Sequence, residues 1–205
     1  MTLALIDYQA GNLHSVANAL RAAGCADLAV TADPDAVLAA DRIVLPGVGA
    51  FGACAAALRA VPGLVEAIET RVRRQGAPFL GICVGMQLMA DRGEELGTHA
   101  GLGWIAGRVR RIDPAGTDAK VPHMGWNDVR PTAGHPLIVP GEAYFLHSYA
   151  FEAGPAGDGV VATTDHAGPV TAAIARDTML GVQFHPEKSQ RYGLALLERF
   201  LAWHP

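Results

Sequence analysis

A single α/β domain is what this sequence predicts: a mostly parallel sheet flanked by helices, plus a smaller region of antiparallel strands. Three observations carry the prediction. From Leu3 to Ile82, apolar runs of strand length alternate with amphipathic runs of helix length, the pattern of a parallel sheet covered on both faces. The stretch Phe79–Met89 passes from an apolar strand into the start of an amphipathic helix through Gly81-Ile82-Cys83-Val84-Gly85. Beyond Gly101 the chain turns glycine-rich with short alternating runs, which suit small antiparallel strands.

Leu3–Asp7 reads as a buried first strand ending in a carboxylate. Gly11 or Asn12 starts a helix running from Leu13 to about Ala23, and Gly24 stands where a C′ residue would stop it. A strand near Leu28–Thr31 follows. Asp33-Pro34 opens a second helix with proline in its first position, and Arg42–Pro46 is the next strand. A helical region over Ala53–Gln75, interrupted near Pro62-Gly63, leads to Pro78–Ile82, the strand that delivers Cys83. Arg108–Ile112, Ala143–Phe151, Val160–Thr164, Thr171–Ala175 and Met179–Phe184 are the later strands. Ser189 is placed to N-cap a last helix with Leu194, Leu197, Phe200 and Leu201 on one apolar face.

The 205 residues are half hydrophobic and 18% charged, enough for one domain with a sizeable core and too few for two. A net charge of -4 offers no basic footprint for nucleic acid, and Arg71-Val72-Arg73-Arg74 reads as a solvated helix face. No apolar stretch reaches the roughly 18 residues of a membrane span. Asp7 ends the first apolar run and no basic segment precedes it, so no leader peptide is expected. Cys25, Cys54 and Cys83 are an odd number without metal-like spacing and point to reduced thiols in a cytoplasm. His123, His147, His166 and His185 are scattered without finger-like spacing, so neither metal nor cofactor is expected.

Two segments carry chemistry. Gly-x-Cys-x-Gly at a strand-to-helix turn is the thiol version of a nucleophile elbow, which pushes one side chain out of the sheet. The helix that follows presents N–H groups and a positive dipole end that favour thiolate. An ordinary buried cysteine is the alternative. A hundred residues on, His185-Pro186-Glu187 follows an apolar strand. In an extended segment His185 and Glu187 project to the same side, and Pro186 biases His185 away from helix. A histidine that takes a thiol proton, oriented by a carboxylate, is the general form of an activated nucleophile; a surface histidine beside an unrelated glutamate is the alternative. Between them in the chain, Pro46-Gly47-Val48-Gly49-Ala50-Phe51-Gly52 lies at the carboxyl end of a strand, where α/β sheets hold their ligands. It reads as an oxyanion cradle or as a plain turn. It lacks the third glycine and later acidic residue of a dinucleotide fingerprint, which argues against NAD.

The elbow together with His185-x-Glu187 resembles the class I glutamine amidotransferase domain over nearly all of residues 1–205. Asp7-Tyr8-x-x-Gly11-Asn12, Pro46–Phe51, Pro122-His123-Met124-Gly125-Trp126-Asn127, His147-Ser148-Tyr149 and His185-Pro186-Glu187-Lys188-Ser189 resemble, more narrowly, the family of glutaminase subunits of imidazole glycerol phosphate synthase. Ser148 stands where that family often has Thr. The resemblance implies that Cys83 attacks the side-chain amide of glutamine, that His185 moves the proton, and that Glu187 orients His185. It implies an oxyanion hole from Gly47, Val48, Gly49 and the N–H of Val84, and a grip on the substrate's amino-acid end by Gln87, Glu95, Ser148 and Tyr149. It also implies a heterodimer with a (β/α)8-barrel cyclase that receives ammonia and makes imidazole glycerol phosphate and an aminoimidazole carboxamide ribotide, in histidine biosynthesis. Asn12, Trp126, Tyr144 and Lys188 would lie at that interface and its ammonia gate; Trp126 in the chain's own core is the alternative.

Three rival readings remain open on the sequence. One is an amidotransferase subunit feeding a different synthase, which would lack Pro-His-Met-Gly-Trp-Asn and Pro-Gly-Val-Gly-Ala-Phe together. Another is a redox or stress module with an elbow cysteine and no amidase activity. The third is a non-catalytic docking subunit, for which an intact Cys83, His185 and Glu187 would have no use.

Overall fold

Nine strands join in one sheet whose two halves run differently, and the computed structural model describes this for residues 1–205. In the first half, β1 (Thr2–Ile6), β2 (Asp27–Thr31), β3 (Arg42–Gly47) and β4 (Phe79–Cys83) alternate with α1 (Leu13–Ala22), α2 (Pro34–Ala39), α3 (Phe51–Ala60) and α4 (Leu64–Glu69). A single turn, α5 (Val84–Gln87), follows Cys83. Then come β5 (Arg92–Gly93), β6 (His99–Ala100), β7 (Gly107–Arg111), β8 (His123–Pro131), β9 (Gly141–His147) and β10 (Tyr149–Ala153). The chain ends with β11 (Val160–Asp165), β12 (Pro169–Arg176), β13 (Met179–Val182) and α6 (Gln190–Ala202).

The large sheet has the order β2-β1-β3-β4-β13-β12-β11-β8-β9, and β10-β7-β5-β6 form a second, smaller sheet. Pairs from β2 to β13 are parallel and pairs from β13 to β9 antiparallel. The antiparallel strands thus complete the main sheet rather than forming only a smaller region beside it. Residues of β3 and β4 are buried throughout, which is why these strands read as continuous apolar runs and not as alternating ones. Phe79 meets Trp104 edge-on at 4.9 Å in the covering layer.

Local signals account for most boundaries. Asp33 caps α2 by accepting from the Asp35 N–H at 3.0 Å, with Pro34 in the first turn. α1 ends in a Schellman arrangement. The Gly24 N–H donates to Arg21 and the Cys25 N–H to Leu20, both at 3.0 Å, with Gly24 at φ +100°.

Three expectations need correction. Ala143–Phe151 is not one strand: it breaks at Ser148, and the chain leaves the large sheet as β9 and enters the small one as β10. The elbow helix is four residues long and wholly buried, not amphipathic. The carbonyls of Leu88, Met89 and Ala90 are taken by the N–H groups of Leu102, Trp104 and Gly103 instead of by a further helical turn, so the dipole beside Cys83 is that of one turn only. The buried stripe of α6 is Gly193, Leu196, Leu197 and Phe200. It is set by Gly193, where a Cβ would lie 1.9 Å from the Pro186 carbonyl oxygen.

The elbow depends on close approach at Gly85. A Cβ there would sit 1.9 Å from the Leu45 carbonyl oxygen, in the central strand β3. That oxygen is main chain and has nowhere to go. Gly85→Ala is therefore expected to lower unfolding free energy by about 3 kcal/mol or more, read as the urea midpoint at constant m-value; a loss under about 1 kcal/mol would show that β3 yields easily. No single helix is long and apolar enough to cross a membrane.

Candidate active site

Cys83 ends β4 at φ 54° and ψ −111°. For a residue with a Cβ this is a strained left-handed backbone, the conformation that lifts a nucleophile out of a strand-to-helix turn. Sheet register brings its neighbours alongside. Gly47 pairs with Cys83 across β3 and β4, and Val182 pairs with Ile82 across β13 and β4. The glycine turn and the chain leading to His185 therefore emerge on either side of the sulfur.

His185 is clamped by its backbone. Its N–H donates to the Tyr144 carbonyl at 2.9 Å, and its carbonyl accepts from the Ser189 hydroxyl at 2.7 Å. Ser189 stands at the start of α6 as expected, yet its side chain does not cap the helix. Its oxygen accepts instead from the Tyr144 N–H at 2.9 Å, so it serves the His185 loop. Pro186–Lys188 forms one 3-10 turn, not an extended segment. Pro186 opens that turn, and the Lys188 N–H closes it on the His185 carbonyl at 3.0 Å. The Glu187 side chain then curls back, and Oε1 lies 2.8 Å from His185 Nδ1. Both side chains are almost fully buried, and Glu187 Oε2 has no partner. Burial works against a charged ring here. Hydrogen bonding and negative charge from Cys83 and Glu187 outweigh it and raise the His185 pKa to about 10. With Nδ1 on Glu187, Nε2 is the nitrogen left for the sulfur.

A cavity of about 360 Å³ opens here, lined by Cys83, His185, Val48, Gly49, Val84, Gln87, Glu95, Ser148, Tyr149 and Lys188, with Pro122, Leu146 and His147. Gly47 lies outside this lining, packed against Val84 and Gly85 where a Cβ would clash, and Glu187 stands behind His185. Two carbonyls of the glycine turn are tethered by side chains: Tyr8 donates to Pro46 at 2.7 Å and the Cys54 thiol to Val48 at 3.3 Å. Glu95 Oε2 accepts from the Phe51 N–H at 2.7 Å. Gln87 commits both amide hydrogens, to the Tyr149 carbonyl and to Gln183 Oε1, each at 2.9 Å. Any substrate contact from Gln87 must therefore use its Oε1.

Gln183 was not anticipated from the sequence. It is fully buried, and its Nε2 approaches Cys83 Sγ at 3.7 Å. The signal available was an amide inside the apolar run Gly181-Val182-Gln183-Phe184, since a buried polar group must find partners. His147 enters the sequence reading through its lack of metal spacing and as part of His147-Ser148-Tyr149, with no role of its own, and it forms a wall of the cavity.

Trp126 is half exposed and not core. It pairs in register with Tyr144, with ring centroids 6.2 Å apart, and Lys188 Nζ lies 5.9 Å over the Tyr144 ring. Asn12 begins α1, which packs against the Pro186–Lys188 turn. The four expected interface residues thus share the side of the molecule on which the 185–188 turn lies.

A parallel-sheet elbow cysteine with a histidine–glutamate pair beside it defines a class I glutamine amidotransferase, and the model of that family, glutamine amidotransferase class-I, matches residues 4–203. Among solved structures, a glutamine amidotransferase superposes with a TM-score of 0.75 at 18% identity over 98% of both chains. The PurLQS structure from Thermotoga maritima gives 0.70 at 16% identity, over 98% of this chain and 97% of that one; at such identities the likeness is one of fold. Sequence relatives are much nearer. The imidazole glycerol phosphate synthase subunit HisH of Zymomonas mobilis is 62% identical over 208 residues, covering all of this chain and 97% of its own length. That of Rhodopseudomonas palustris is 51% identical over 217 residues and the full length of both chains. The chain belongs to the class I glutamine amidotransferases and, within them, to the HisH subunits of imidazole glycerol phosphate synthase.

Proposed function

We propose that Cys83, His185 and Glu187 form the triad that hydrolyses glutamine to glutamate and ammonia. The observation that carries this reading is the 2.8 Å His185–Glu187 pair opening with the strained Cys83 onto one cavity. Cys83 gives its thiol proton to His185 Nε2, its Sγ attacks the side-chain amide carbon, and the carbonyl oxygen takes the negative charge. N–H groups around Gly47, Val48, Gly49 and Val84 stabilise that oxyanion. His185 Nε2 gives its proton to the departing nitrogen, ammonia leaves, and a glutamyl thioester remains. The same nitrogen then takes a proton from water, whose hydroxide attacks the thioester; the proton returns with the sulfur and glutamate is released. Glu95 and Gln87 Oε1 receive the substrate's ammonium group, and the Ser148–Tyr149 backbone its carboxylate.

Ammonia is nucleophilic only while unprotonated, so release into bulk water would waste it. The chain is read as a cytoplasmic subunit that binds a (β/α)8-barrel cyclase as a heterodimer and passes ammonia into it for imidazole glycerol phosphate synthesis. Trp126, Tyr144, Lys188 and Asn12 are proposed to meet that partner; aromatic side chains suit interface cores.

The glycine-flanked turn at 47–49 is proposed to be set for catalysis by the liganded partner, since Gly49 leaves the backbone free to turn and only the weak Cys54 thiol donor holds the Val48 carbonyl. Glutamate release from glutamine tests both ideas, with the chain alone, with the cyclase, and with the cyclase plus its ribonucleotide. An increase of about a hundredfold or more is expected only in the last mixture. High turnover by the free chain, unchanged by the partner, would remove the gating. No glutamate in any mixture would remove the triad.

A further inference from the structure

His147 continues from the cavity wall into a row of side chains, buried His123 and half-buried Asn127, that the proposed chemistry leaves unused. His147 Nδ1 lies 2.9 Å from the Tyr149 carbonyl, and its Nε2 lies 3.0 Å from His123 Nδ1. His123 Nε2 lies 3.1 Å from Asn127 Nδ2, which also donates to the Asp165 carbonyl at 2.9 Å. The Asn127 Oδ1 accepts from the Asp128 N–H at 2.8 Å. Donor and acceptor roles follow without any hydrogen being located. A carbonyl only accepts, so His147 Nδ1 carries the proton. In a neutral ring Nε2 then accepts, and His123 Nδ1 must be the donor to it. His123 Nε2 in turn accepts from Asn127, whose amide orientation is fixed by Asp165 and Asp128. Along the row from Asn127 through His123 and His147 to Tyr149, each donor points toward the cavity.

The Tyr149 carbonyl at the end of this row also takes Gln87 Nε2, whose other hydrogen goes to Gln183. We propose that Asn127, His123 and His147 are a one-way hydrogen-bond relay that positions the Tyr149 carbonyl, making both histidines positioning residues for glutamine. The link to the substrate runs through Gln87, whose amide that carbonyl orients so that Oε1 is left for glutamine, and it rests on Gln87 Oε1 holding the substrate, as proposed above. It requires both rings to be neutral, and their surroundings agree. Burial, then the neighbouring His166, pulls His123 down to about 4. Burial outweighs the Tyr149 hydrogen bond and, helped by His123, His166 and His185, pulls His147 down to about 3. His123 is also held flat between Phe145 at 4.7 Å and His166 at 4.1 Å, so it cannot swing away from the row.

Two substitutions separate a relay from simple packing. His123→Phe keeps the stacked ring and loses the donor. His123→Asn loses the ring but places Nδ2 near the former Nδ1, so it still donates to His147. Measured as glutamate release by the complex with the cyclase and its ribonucleotide, His123→Phe is expected to raise KM for glutamine about tenfold with kcat within about threefold. His123→Asn is expected to keep KM within about threefold of wild type. An unchanged KM in His123→Phe, or a His123→Asn variant no better than it, overturns the relay. On the wild-type full chain, imidazole ¹⁵N NMR from about pH 6 to 8 is expected to show both rings neutral with the proton on Nδ1. A proton on Nε2 of either ring, or two protons on one, overturns the relay even if the chain releases no glutamate. Absence of glutamate release by the wild-type complex would instead count against the triad.

Discussion

Cys83→Ala is expected to cut glutamine-dependent turnover of the complex by about ten-thousandfold or more. The size follows from what the site can do without sulfur. His185 and Glu187 still form their 2.8 Å pair, and the cavity still binds glutamine, but no thioester can form and water must attack an unactivated amide directly. Cys83 reaches into the cavity from a backbone with a left-handed φ of 54°, and alanine tolerates that backbone no worse, so the fold should survive. The partner supplies the control: when ammonium is added in place of glutamine, the Cys83→Ala complex is expected to make product at the wild-type rate. Loss of ammonium-supported synthesis as well would place the fault in the cyclase preparation and not at Cys83. Retention of glutamine-dependent turnover within tenfold would return Cys83 to the status of a packed core cysteine.

How much of this was readable from residues alone depends on how local the determinant is. The elbow announced itself because Gly81, Cys83 and Gly85 obey one steric demand at fixed spacing: at Gly85 the main chain of β3 leaves no room for a Cβ. The first half of the sheet was readable for a similar reason, since caps and apolar runs act over a few residues. Ser148 was different. Tyr144 to Phe151 holds no glycine or proline to mark a break, and the break arises from two sheets competing for one chain, visible only when the Ile112 N–H is found on the Ser148 carbonyl at 2.9 Å. The same limit hid Gln183 and the His123–His147 row, whose partners are far apart in sequence: Gln183 meets Gln87 from the far end of the chain, and His123 meets His147 only through the β8–β9 register. At Glu187 the sequence argument reached the right neighbour by the wrong backbone, because a proline that disfavours helix before itself also starts a 3-10 turn well.

Glu187→Gln is expected to lower kcat of the complex about a thousandfold and to change its pH dependence in a defined direction. Gln can still accept from His185 Nδ1 through its own oxygen, so ring orientation is largely kept. What disappears is the charge, and the new NH₂ falls where Oε2 is buried without a partner, leaving two donors unsatisfied. Burial disfavours the charged ring, and Cys83 and Glu187 together outweigh that to hold its pKa at about 10. With Glu187 neutral, burial regains ground and the ring loses its proton at lower pH. The alkaline limb of the kcat profile should therefore move toward acid. Stability carries the matching sign. A group whose folded pKa is raised stabilises fully below its unfolded value, here about 6.5, and that contribution fades as pH climbs through the folded value. The Tm gap between wild type and Glu187→Gln that comes from His185 should accordingly be at its full size at and below about pH 6.5 and narrow toward about pH 10. A gap that widens with rising pH, or an alkaline limb that stays in place, would mean that Glu187 acts on His185 by shape alone and not through its charge.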